Sequence, residues 1–244
     1  MLRECIHPGG WLTLVSPKLE KIGVPHGFTT AIGPGSKRWS VKSAEDLRGV
    51  LADTRLDDRA IAMGRQVHGA GVTTPESRGR DRCDGHDAHV TTELRELVAV
   101  RTADCVPILL ATTDGEAVAA VHAGWRGLEA GVIDAALKTL ALLGNETSMV
   151  AAIGPCIGVA AYEVGEEVAS RFEHGVVRRD DWPRPHLDLR ALSLRQLLEG
   201  GLPPERIDAA NACTFAESER FGSYRRDGKG CAHQAAYIGR LSSS

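Results

Sequence analysis

Between residues 97 and 153 the chain carries four short apolar runs: Leu97–Val100, Val106–Leu110, Ala117–Val121 and Met149–Ile153. Each is four or five residues long and bounded by turn-forming or polar residues, which is the signature of buried strands. Pro107 cannot donate to a sheet ladder, so it places its run at a strand start or on a sheet edge. Before the last of these runs, Val132, Ile133, Ala136, Leu137, Leu140 and Leu143 recur at helical spacing, and Gly144 ends the pattern. Strands interleaved with a helix of this kind require an α/β architecture. Further helical segments are expected over 165–172 and 189–198. Ser43-Ala44-Glu45-Asp46 ahead of Leu47, Val50 and Leu51 predicts a short capped helix, preceded by a loop over 33–38. No linker divides the chain, so residues 1–244 read as one domain. The last serines, Ser242 to Ser244, read as a frayed end.

Composition narrows the function classes. With 29 basic against 32 acidic residues the net charge is −3, which provides no basic field for a nucleic-acid backbone. No apolar run approaches the roughly 18 residues of a membrane span. The N-terminal Met1-Leu2-Arg3-Glu4-Cys5 lacks the apolar core of a signal peptide. The expectation is a soluble cytoplasmic protein that binds neither nucleic acid nor membrane. Aromatic residues are only 5% while glycines number 27, so the core is expected to be aliphatic and the turns tight. Six cysteines scattered over a chain of this length, without a secretion signal, read as reduced thiols.

Three of the polar residues stand where apolar strands are expected to end: His68, Cys105 and His122. Two imidazoles and a thiolate form a good zinc ligand set, and three protein ligands leave a fourth position open, the catalytic pattern. Their separations of 37 and 17 residues carry little information alone. Each is equally readable as a hydrogen-bonded core histidine or an inert buried cysteine. The closely spaced Cys83, His86 and His89 lie beside Arg78, Arg80 and Arg82 and read as a solvated surface loop. Asp87 within that stretch leads into a strand-like segment, Ala88–Thr92. Arg126, flanked by Gly124 and Gly127, suits a phosphate or carboxylate, or a structural carboxylate partner. Arg225, in Ser223-Tyr224-Arg225-Arg226-Asp227-Gly228, offers the same two readings. Cys156 and Cys213 read as small packing residues.

Taken together, Gly64-Arg65-Gln66-Val67-His68-Gly69, Thr102-Ala103-Asp104-Cys105-Val106-Pro107, His122-Ala123-Gly124-Trp125-Arg126-Gly127, Gly154-Pro155-Cys156-Ile157-Gly158, Tyr162-Glu163-Val164-Gly165, Cys213-Thr214 and the segment 223–228 resemble a known family. It is the purine nucleoside phosphorylase family known earlier as multicopper polyphenol oxidase, or laccase-domain, proteins. The resemblance covers residues 60–240, and residues 1–60 diverge from it. It implies a single α/β (α+β) domain with mixed sheets flanked by helices, similar to a toxin-deamidase fold. It also implies zinc held by His68, Cys105 and His122, and phosphorolysis of adenosine, inosine, guanosine and methylthioadenosine, with adenosine deamination in addition. Purine nucleosides and inorganic phosphate are then the expected partners. Arg126 joins the zinc ligands as a catalytic candidate, and Arg126, Arg225, Asp87 and Gln66 are the expected substrate- or phosphate-binding residues. The oligomeric state is left open, and a monomer is compatible with everything above.

The chemistry agrees with that implication. Zinc as a Lewis acid suits hydrolytic deamination at C6 of adenine. Phosphorolysis needs phosphate delivered to the ribose C1′, which Arg126 or Arg225 can hold. Copper binds such ligands strongly as well, but a multicopper oxidase needs a histidine-rich cluster of paired motifs, and none of the nine histidines forms an H-x-H pair. Two departures from the family stand out. Ala31 follows His26-Gly27-Phe28-Thr29-Thr30 where relatives carry arginine, and Lys229-Gly230-Cys231-Ala232-His233 replaces a Thr-Gly-Arg segment. Lys37, Arg38 and Lys229 are the basic residues at hand to substitute. The departures keep two rival readings open: a cysteine hydrolase or amidase using Cys105 and His122, and a catalytically weakened, zinc-containing binding protein.

Overall fold

The computed structural model describes residues 1–240 apart from Pro8, Asp53, Arg55, Asp57, 78–82, 145–147, His174 and 180–181. Arg78, Arg80, Arg82 and the terminal serines Ser242 to Ser244 lie outside the described residues.

Two six-stranded mixed sheets are stacked face to face. The first runs, in spatial order, Arg3–Ile6, Leu12–Val15, His26–Thr29, Gln234–Gly239, Glu96–Thr102 and Ala60–Ala62. The second runs Ile207–Ala209, Met149–Ile153, Val106–Thr112, Val118–Ala123, Ala88–Thr91 and Val72–Thr73. Most neighbours are antiparallel, while Ala60–Ala62, Ile207–Ala209 and Val72–Thr73 add in parallel.

Strand alternation explains the layering. Val98, Val100, Leu109, Ala111, Val118, Ala120, Ala236 and Ile238 meet between the sheets. The intervening residues of the second sheet, Ile108, Leu110, Ala119 and Val121, face the helices Val132–Leu143 and Leu189–Glu199. Those of the first, Leu97, Ala99, Ala235 and Tyr237, face the helix Ala44–Leu51. Both faces of the central strands are thus buried, which is why they read as unbroken apolar runs. The chain is a mixed α/β single domain whose sheets are flanked by helices.

Local sequence signals account for the helices. Ser43 and Asp46 form a reciprocal capping box ahead of Ala44–Leu51. Asp188 caps Leu189–Glu199 by accepting from Ala191 N–H at 2.9 Å. Two expectations are corrected, and for Pro107 one of the two expected placements is selected. The helix expected over 165–172 is a single turn, Glu166–Ala169, flanked by Gly165 and followed within a few residues by Gly175. Pro107 is the second residue of Val106–Thr112, a central strand, so it marks a strand start and no edge. Helix also begins earlier than the periodic run, at Trp125–Glu129. Among the described residues no helix is long and apolar enough to cross a membrane.

Candidate metal centre

His68, Cys105 and His122 converge at one end of the layer between the sheets, with their ligand atoms within 4.8 Å of one another. Each arrives from a different element. His122 is the penultimate residue of Val118–Ala123 and continues the inward face of Val118 and Ala120. Cys105 stands in the turn between Glu96–Thr102 and Val106–Thr112. His68 is not at a strand end as expected but in the loop between Ala60–Ala62 and Val72–Thr73, at φ +62°. That left-handed backbone is costly for a residue with a Cβ.

Asp87 offsets the cost. Its fully buried carboxylate accepts N–H groups from Val67 (3.1 Å), His68 (2.9 Å) and Gly69 (2.8 Å), and His122 Nδ1 lies 2.7 Å from the same group. Burial would raise its pKa, but these bonds hold Asp87 well below the usual carboxylate range. The ionised carboxylate fixes the His122 tautomer with Nδ1 protonated and Nε2 free toward Cys105. Both Asp87 oxygens are thus engaged by protein donors, and the residue positions two of the three candidate ligands. Burial also opposes ionisation of Cys105, yet the charges and hydrogen bonds of His122 and His68 bring its thiol below the ordinary range. His122 is correspondingly raised by Cys105 and Asp87, against its burial.

A second buried carboxylate, Asp104, organises the other wall. It adopts φ +98° and accepts from Thr214 Oγ1 (2.6 Å), Ser223 Oγ (3.0 Å) and Arg225 N–H (2.7 Å). Its own carbonyl receives Ile157 N–H at 2.9 Å. Three segments distant in sequence are thereby drawn around Cys105.

The candidate ligands lie in the wall of a cavity of about 600 Å³ that Arg101, Arg126, Tyr162, Arg225 and His233 also line. Arg126 is exposed, stacks over Trp125 at 4.4 Å and has no carboxylate partner among the described residues. Arg225 stacks over Tyr162 at 5.1 Å and donates to the Glu163 carbonyl. Gln66 also borders the cavity, but its amide is committed to the backbone of Arg101, at 2.7 Å and 2.8 Å. Gln66 thus scaffolds the Arg101 backbone at the cavity edge.

Other sequence expectations sort as follows. Cys83 is buried in the inter-sheet core and His89 lies fully buried on Ala88–Thr91, with Nδ1 2.8 Å from Thr73 Oγ1. His89 is on the strand that begins immediately after Asp87, and Cys83 is in a turn with its side chain packed inward; of the three only His86 keeps partial exposure. Cys156 is buried, and Cys213 accepts Gly158 N–H, in line with packing. Ala31 is buried. Arg38 is spent on the carbonyls of Ser218 and Phe221 and lines a separate recess, so it does not stand in for a lost arginine. Lys37 and Lys229 likewise do not border the cavity. Asp104, Arg101, Tyr162 and His233 were not among the residues the sequence singled out, although Asp104 and Tyr162 fall inside matched segments.

Residues 37–241 match the family model described as multi-copper polyphenol oxidoreductase laccase. The chain belongs to this family. A purine nucleoside phosphorylase of Xylella fastidiosa (strain Temecula1) is 36% identical over 177 residues, covering 67% of this chain and 66%, just under two thirds, of its own length. An adenosine deaminase from an unknown prokaryotic organism is 34% identical over 189 residues, 71% of each chain. The crystal structure of YlmD from Geobacillus stearothermophilus superposes with a TM-score of 0.83 at 26% identity, covering 98% of this chain and 99% of that one. Relatives of this chain thus include proteins named for purine nucleoside chemistry, and its fold matches that of YlmD over nearly its whole length.

Proposed function

We propose that this protein is a cytoplasmic, zinc-dependent purine nucleoside phosphorylase acting on adenosine, inosine, guanosine and methylthioadenosine, which also deaminates adenosine. The observation that carries the reading is the meeting of His68, Cys105 and His122 in a cavity whose wall bears three arginines. The names of the relatives point the same way.

The donor set fits a zinc-type ion: a thiol below its ordinary pKa and two imidazoles, with an ion displacing the proton that Cys105 and Asp87 favour on His122, would leave one coordination position for solvent or substrate. Such an ion, when bound, supplies Lewis acidity toward a coordinated oxygen. A multicopper oxidase needs several copper centres; among the described residues this is the single group of three or more potential ligands.

The chain's own residues do the rest. Asp87 keeps His122 and His68 in the orientation that binding needs. Trp125 and Tyr162, each with an arginine over its ring, present flat faces at the cavity wall that suit a purine. Phosphorolysis breaks the C1′–N bond as a phosphate oxygen bonds to C1′, so the cavity must hold an anion close to an uncharged nucleoside. Its arginines meet that need.

The test incubates metal-loaded protein with adenosine and with inosine, each with and without phosphate, and resolves the products. Free base from inosine only with phosphate, and inosine from adenosine without it, are expected. Absence of both products overturns the reading.

One observation favours a second reading. Asp87, His122 and Cys105 form an aligned carboxylate–imidazole–thiol relay with the thiol poised to ionise, as in a cysteine hydrolase or amidase. Metal analysis separates the two. Near-stoichiometric zinc that disappears in Cys105→Ala counts against a free nucleophilic thiol.

A further inference from the structure

We infer that Arg101 and His233 form the phosphate-binding end of the cavity, a role that rests on the phosphorylase reading above. The placement follows from sheet register. Arg101 pairs with Ala235 across Glu96–Thr102 and Gln234–Gly239. His233 stands two residues before Ala235 and so projects from the same face as Arg101. Along that face Leu97, Ala99, Ala235 and Tyr237 pack in the outer apolar core. Arg101 and His233 are the next positions, where the core stops and the cavity begins.

Both are held in place with donor capacity to spare. Gln66 clamps the Arg101 backbone from both sides, and the Arg101 guanidinium donates from one nitrogen to the Lys42 carbonyl. It has no carboxylate partner among the described residues. The backbone of His233 is tied to Ser40 Oγ (3.0 Å) and to Val41 N–H (2.9 Å), while its buried Nδ1 has no hydrogen-bond partner.

The charge balance points to an anion. Burial first, and then the charges of Arg101 and Lys42, hold the pKa of the His233 imidazole low against the opposing pull of the Cys231 backbone. The carboxylates in the vicinity are already engaged: Asp104 by Thr214, Ser223 and Arg225, and Asp46 by the cap of its own helix. Arg126 and Arg225 are stacked on Trp125 and Tyr162, which we assign to the base. A tetrahedral oxyanion between Arg101 and His233 satisfies the free guanidinium donors and one imidazole N–H.

Calorimetric titration of the metal-loaded protein with inorganic phosphate, which needs no turnover, is paired with steady-state phosphorolysis of inosine. Loss of a charged hydrogen bond predicts a rise of roughly tenfold or more in the phosphate Kd and KM for Arg101→Gln. A smaller rise is expected for His233→Ala and partial recovery for Arg101→Lys, with the KM for inosine nearly constant. Thermal melts identify a variant that fails to fold, in which case Arg101→Lys and His233→Ala decide the matter. Unchanged phosphate affinity in folded variants overturns the inference. So does weakened binding confined to a nucleoside 5′-monophosphate, which would give the site to a nucleotide instead. If the wild type binds phosphate through these residues yet splits no nucleoside, the phosphorylase reading fails and the anion site stands.

Discussion

The Asp87 carboxylate lies 2.7 Å from His122 Nδ1 while accepting the backbone N–H of His68, so one side chain sets the positions of two candidate metal ligands that are 54 residues apart in sequence. Asp87→Ala is expected to leave four donors unsatisfied, three backbone N–H groups and His122 Nδ1, at about 1 kcal/mol or more each. It should also weaken zinc binding about 10- to 100-fold through the loss of the partner behind His122. Denaturant unfolding measures the first effect and competitive metal titration the second. Retained zinc affinity in a folded Asp87→Ala protein would refute the positioning role.

Gly124→Ala separates the site from the scaffold. A Cβ at this position would lie 2.9 Å from His68 Cδ2 and 3.0 Å from Cys105 Sγ, yet the backbone φ of −79° suits any residue. The variant should therefore fold with stability within about 1 kcal/mol of wild type and lose zinc affinity by about tenfold or more. Melting temperature and metal stoichiometry, read together, check this.

Gly154→Ala is expected to behave in the opposite way. Its Cβ would run into the Phe28 ring and the Pro107 side chain, both held in strands. Overpacking of this kind costs about 1–3 kcal/mol, so the unfolding midpoint should fall while metal content in the remaining folded protein is unchanged.

Acid should weaken the joint between the N-terminal segment and the second sheet. Asp208 accepts from Ser16 Oγ at 2.7 Å, Lys18 N–H at 3.1 Å and the Met1 amino group at 3.0 Å. Burial would raise its pKa, but these bonds hold it below the ordinary carboxylate value. A carboxylate depressed in the folded state contributes stability above its unfolded pKa of about 4. That contribution disappears as pH falls through the lower folded value. Melting temperatures followed from neutral pH into this range should drop more steeply for wild type than for Asp208→Asn. Parallel curves would show that Asp208 contributes nothing to acid sensitivity.

Much of this architecture is legible in the sequence because its signals are local. The capping box at Ser43 and Asp46, the helical period from Val132 to Leu143 and the apolar runs each depend on neighbours in the chain. What sequence reading missed is long-range. His26–Thr29 pairs with Gln234–Gly239 across some two hundred residues, and no local pattern states that partnership. The burial of Asp87 and His89 is hidden for the same reason. It follows from the pairing of Ala88–Thr91 with Val118–Ala123 and Val72–Thr73, while their own neighbourhood in the sequence is polar. Arg101 reads as the end of an apolar run until the sheet register sets it beside His233.

The strand Val106–Thr112 is gripped on both faces, Ile108 and Leu110 by one core and Leu109 and Ala111 by another. Val118–Ala123 shares that grip. Amides buried this way exchange with solvent only when the whole domain opens. His68 alone of the three ligands rides on an exposed loop, tethered through Asp87. An ion held here therefore departs by a swing of that loop, with Cys105 and His122 at rest. Chelation and unfolding are in consequence separate clocks: a chelator should strip the metal at a rate that mild denaturant leaves unchanged.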